Sequence, residues 1–89
     1  MKFYNHSKHY VRIAVYSGFP RTEENRVKAL GDYGPDSEVS CDLKPGDYYV
    51  CFYTTNIGPI QPGLIIATSG GAPSEGVVTL TASDRISIS

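Results

Sequence analysis

Residues 48–83, YYVCFYTTNIGPIQPGLIIATSGGAPSEGVVTLTAS, carry one charged side chain, Glu75, while residues 1–47 hold 14 of the chain's 17. Val, Ile, Tyr and Thr dominate the stretch, and these side chains pack well on a pleated surface. Tyr48 to Tyr53 is apolar on both faces, as a central strand covered on two sides must be. Asn56 to Gly63 contains Pro59 and Pro62, which lack a ladder donor, so it reads as a connection. Leu64 to Ala67 reads as a short apolar strand, and Thr68 to Gly76 as a glycine-rich hairpin loop. Val78, Leu80 and Ala82 then alternate with Thr79 and Thr81, and Ile86 and Ile88 make a last short strand. A soluble surface ordinarily mixes both signs of charge throughout. One charge in so long a stretch is fewer than a sheet interior alone explains, and the surplus predicts a surface covered by another molecule.

Working back toward residue 1, Val39, Cys41 and Leu43 alternate with Ser40 and Asp42 as a one-faced strand, closed by the turn Lys44-Pro45-Gly46-Asp47. Asp32 to Ser37 is dense in turn formers. Arg21 to Leu30 admits either a helical turn capped by Thr22 or a loop entering a strand near Arg26, and the loop and strand are the favoured reading. Val11, Ile13 and Val15 share a face opposite Arg12 in a half-buried strand that ends at Ser17-Gly18-Phe19-Pro20. Six to seven mostly antiparallel strands without a convincing helix predict an all-β fold, a small β-sandwich or jelly roll, with residues 1–89 as a single domain.

Glu38 to Asn56 resembles the middle of a fibronectin type III domain, in which a Leu, a Pro-Gly turn and a Tyr six residues after the Leu form a tyrosine corner. Leu43 and Tyr49 have that spacing here. The same residues, with Val15-Tyr16-Ser17-Gly18 and the Gly31–Pro35 loop, also resemble the prepeptidase C-terminal β-sandwich. Both resemblances imply architecture, with Leu43 and Tyr49 structural and Tyr49 in the core, and neither implies functional residues. Cys41 and Cys51 are read as small core side chains, with a disulfide as the alternative.

The composition narrows function by exclusion. A formal net charge of −1 lacks the basic face that nucleic acid requires. Nothing approaches 18 consecutive apolar residues, so no membrane insertion is expected, and the polar opening MKFYNHSKHY reads as no signal peptide, which leans toward cytoplasmic synthesis. His6 and His9 lack a third clustered ligand, and Asp32, Asp36 and Asp42 match no defined calcium loop. Gly70 to Gly76 lacks the Lys-Ser/Thr ending of a phosphate loop, and no nucleophile elbow occurs. No catalytic residue, metal or cofactor is expected.

Association is what remains. Ile57 and Ile60 beside prolines are hard to bury locally, Leu64 opens the next apolar run, and Tyr33 sits in a turn-rich segment. These four are the expected interface residues. The reading is a non-catalytic, self-assembling structural subunit that forms a homo-oligomer or filament. The alternative is an adhesive or accessory binding module for a carbohydrate or a foreign protein, including a viral-type inhibitor of a host protein.

Overall fold

The computed structural model describes residues 1–54 and 64–89. Among them are eight strands and no helix: β1 (Lys2–Asn5), β2 (Val11–Tyr16), β3 (Arg26–Tyr33), β4 (Ser37–Ser40), β5 (Asp47–Thr54), β6 (Leu64–Pro73), β7 (Val77–Leu80) and β8 (Ile86–Ile88). They form two four-stranded sheets, β4-β1-β7-β8 (sheet A) and β3-β2-β5-β6 (sheet B). Every pairing is antiparallel except β1 with β7. The sheets meet across one cluster, Phe3, Val78 and Leu80 from sheet A against Val11, Ile13, Val15, Tyr48, Val50, Phe52 and Ala72 from sheet B. This is the two-layer all-β architecture expected from the alternation, with eight strands rather than six to seven.

The strand missing from the sequence reading is β1. Its inward positions are Phe3 and Asn5, so the alternation is interrupted by a polar residue at a buried site. Asn5 is only 2% exposed, yet its carboxamide is satisfied throughout. Nδ2 donates to the carbonyls of His9 (2.8 Å), Tyr33 (3.1 Å) and Gly34 (3.0 Å), while Oδ1 accepts from the backbone N–H of Ser7 (3.0 Å) and its hydroxyl (2.6 Å). One side chain thus ties the β1–β2 connection to the turn between β3 and β4. A buried carboxamide is tolerable only with such a partner set.

Parity in β5 differs from the tyrosine-corner expectation. Tyr48, Val50 and Phe52 face the interior, and Tyr49, Cys51 and Tyr53 face outward from sheet B. The residue that reaches back across the turn is therefore Tyr48, whose phenol donates to the Lys44 carbonyl at 2.6 Å. Tyr49 is half-buried against the outer cluster of Ala14, Tyr16 and Cys51 rather than in the interior between the sheets. Both tyrosines follow the Pro-Gly turn, and a strand apolar on both faces leaves its parity to be set by packing rather than by spacing. Leu43 is half-buried against the interior cluster. Tyr48→Phe is expected to lower stability by about 1 kcal/mol, because it removes the hydrogen bond to the Lys44 carbonyl. Tyr49→Phe should change it by less than about 0.5 kcal/mol. Urea midpoints of the two variants decide which tyrosine closes the corner.

The cysteines do not pair. Cys41 lies just beyond β4, half-buried against the interior cluster, whereas Cys51 is fully buried on the opposite face of sheet B, and both are free thiols. Cys41 also prolongs the β1–β4 ladder, exchanging backbone hydrogen bonds with Met1 at 3.0 and 3.1 Å. Burial pushes its thiol pKa up.

Candidate association surface

The two sides of the sandwich differ in charge. On one side run the consecutive edge strands β3 and β4; on the other the edge strands β6 and β8 approach each other. The strand β3 carries Arg26, Lys28 and Asp32, with an Arg12–Asp32 ion pair at 2.8 Å, and β4 carries Glu38. No charged residue occurs in β6 or β8, and Ile88 on β8 is 40% exposed. The uneven charge along the chain thus becomes an uneven charge across the fold. Charges and lysines on an edge discourage strand addition, and an uncharged edge invites it.

At ten residues β6 is the longest strand described, and among the described residues no strand pairs with its outer edge. It also continues well past Ala67, where the sequence predicted a loop. Two irregularities explain the difference. Ile66 has no opposite residue on β5, and Gly70 and Gly71 together face Tyr49. Gly71 has a φ of +63°, a left-handed conformation that a side chain would strain, so the glycines permit a bulge inside the strand.

A second feature covers the outer face of sheet B. Residues 17–25 fold back over Tyr49 and Cys51 as a strap. Its ends are joined by the Ser17 N–H donating to the Asn25 carbonyl (2.8 Å), and the Asn25 carboxamide donates to the Pro20 carbonyl (2.7 Å). Phe19 lies on Tyr49 with ring centroids 4.4 Å apart, and the Arg21 guanidinium stands 5.7 Å from the Phe19 centroid. Arg21 donates to the Thr68 hydroxyl on β6 at 2.6 Å and reaches the Cys51 sulfur at 3.4 Å. Beside this, the hydroxyls of Tyr16 and Tyr53 meet at 3.2 Å, and burial together with that contact raises the Tyr53 phenol well above its ordinary pKa. Phe19 itself remains 59% exposed. The sequence marked Phe19-Pro20 only as the end of a strand. The apolar outer positions of β5 were the signal that something must cover them.

Of the expected interface residues, Leu64 begins β6 on the uncharged side. Ile57 and Ile60 lie outside the described residues. Tyr33, expected in an exposed loop, instead ends β3 and is half-buried against the interior cluster, because β3 runs on to pair Tyr33 with Val11. His9 is joined to Asp84 at 3.2 Å, and His6 stands beside the Tyr4 ring. Among the described residues no three His, Cys, Asp or Glu side chains converge. No family model, no curated protein and no solved structure matches this chain.

Proposed function

We propose that this protein is a non-catalytic structural subunit that works by associating with copies of itself through its uncharged side. The observation that supports this reading is the contrast between the edge strands β3 and β4, which carry charged residues, and the edge strands β6 and β8, whose own residues carry none. Self-association covers the unprotected edge and leaves the charged side to solvent, which is what a homo-oligomer or filament subunit requires. The test is solution mass by light scattering. Wild-type protein should run as a multiple of 9.7 kDa, and Leu64→Lys on β6 should shift it to the protomer with its circular dichroism unchanged. Val27→Lys, on the opposite edge, should leave the assembly intact. A wild-type monomer at every concentration overturns the proposal.

One observation favours a second reading, an adhesive or accessory module for a carbohydrate or a foreign protein. Phe19, 59% exposed and backed by the half-buried Tyr49, stands beside Arg21 as an aromatic and cationic patch of the kind that stacks on sugars or anchors a protein interface. That reading requires a monomer whose tyrosine fluorescence responds to an added oligosaccharide or protein.

A further inference from the structure

The edge strand β6 specifies more than a tendency to associate. Between its two irregularities lies a regular segment, Ala67-Thr68-Ser69, which pairs in simple register with Phe52, Cys51 and Val50. The unopposed Ile66 lies two residues before Thr68, and the Gly70–Gly71 bulge begins two residues after it. Bulges twist an edge and usually obstruct pairing. Here they are equidistant from Thr68, so an antiparallel copy of the same strand, centred on Thr68, sets each Ile66 against Gly70 of the second copy. Irregularity then faces irregularity, and the short regular segments face each other. The β3 edge has the same spacing, with unopposed Val27 and Gly31 each two residues from Ala29, but it carries Arg26, Lys28 and Asp32, which discourage pairing.

Resting on the self-association reading above, we infer that two copies pair β6 to β6 about a two-fold axis at Thr68. The two B sheets become one eight-stranded sheet ordered β3-β2-β5-β6-β6-β5-β2-β3. The partner is a second copy of this chain, because the same strand repeats the spacing of Ile66 and Gly70 about Thr68 without adding a charge, whereas β3, which has that spacing about Ala29, carries three. The junction is isologous and closed, which accounts for both β6 edges at once. It brings together one charge per copy, the Arg21 that each Thr68 holds. These guanidiniums lie on the solvent-exposed face of the sheet, where salt screens them over about 8 Å.

Nitroxide labels test the arrangement in a Cys41→Ser background, the fully buried Cys51 being inaccessible to the reagent. Strands are spaced by about 4.8 Å and rise about 3.4 Å per residue. Labels at Gly70→Cys should therefore lie within about 20 Å of each other and broaden the spectrum. Labels at Lys28→Cys, at the far ends of the joined sheet, should lie beyond about 30 Å. Both positions are exposed, and circular dichroism of each labelled variant verifies the fold. Light scattering on the unlabelled protein separates the two levels of the argument. A monomer overturns self-association and this pairing with it. An assembly with Lys28→Cys labels close and Gly70→Cys labels distant keeps self-association and overturns the β6 pairing. An assembly larger than two copies with close Gly70→Cys labels keeps the pairing as one of its junctions.

Discussion

Asn5→Leu is expected to destabilise the domain by about 3–4 kcal/mol, measured as a fall in urea midpoint at unchanged slope. Leucine is close in size, so the loss is chemical rather than steric. The carbonyls of His9, Tyr33 and Gly34 and the groups of Ser7 would lose the partner they now share. Each buried group left unpaired costs about 1–3 kcal/mol, reduced where water enters. A domain of this size is held by roughly 5–9 kcal/mol in total, so the variant would retain between about a fifth and two thirds of its stability. Ser7→Ala removes only a hydroxyl from the same network and should cost about 1 kcal/mol. If Asn5→Leu unfolds within 1 kcal/mol of wild type, the side chain is not what joins the β1–β2 connection to the β3–β4 turn.

Phe52→Ala is expected to cost about 3–5 kcal/mol, the range for deleting a fully buried aromatic ring without collapse of the site. Phe52 on sheet B meets Phe3 on sheet A edge to face, with centroids 6.4 Å apart and planes at 78°. The pair joins the two layers near the centre of the interior cluster. A double-mutant cycle with Phe3→Leu should yield a coupling of about 0.5–1.5 kcal/mol beyond the area each ring buries. Additive effects would mean that the rings act only as volume. The same cycle between Phe52 and Phe19, on opposite faces of sheet B, should give a coupling near zero.

Strand existence was legible wherever one face is dry and the other wet. Val11, Ile13 and Val15 against Arg12, and Val78 and Leu80 against Thr79, announce β2 and β7 by simple alternation, and both occur where expected. Legibility fails for three physical reasons. In β1 a satisfied carboxamide replaces an apolar side chain, and the network that permits it joins residues 5, 9, 33 and 34, which no local window contains. In β5 both faces are covered, one by sheet A and the other by the strap, so hydrophobicity does not say which tyrosine points inward. In β6 Gly70 and Gly71 read as a loop, although a bulge absorbs them within a continuing strand. The shortage of charge on β6 was legible as composition, since the missing charges are visible in the chain. Its location was not, because β6 and β8 become neighbours only after the sheets stack.

The position of β1 also fixes the order in which the molecule is completed during synthesis. It lies between β4 and β7, and its parallel partner β7 is about 75 residues further along the chain. At roughly 5–20 residues per second, Phe3 leaves the ribosome several seconds before Val78 exists to pair beside it. Sheet B has no such delay between its first partners, because β2 and β3 are joined by only nine residues. One layer can therefore begin to assemble while the nascent chain is still short, and the other waits for its last-made strand. In that interval the inner face of sheet B, with Val15, Val50 and Phe52, has only the β4-β1 half of its second layer and lacks Val78 and Leu80 of β7.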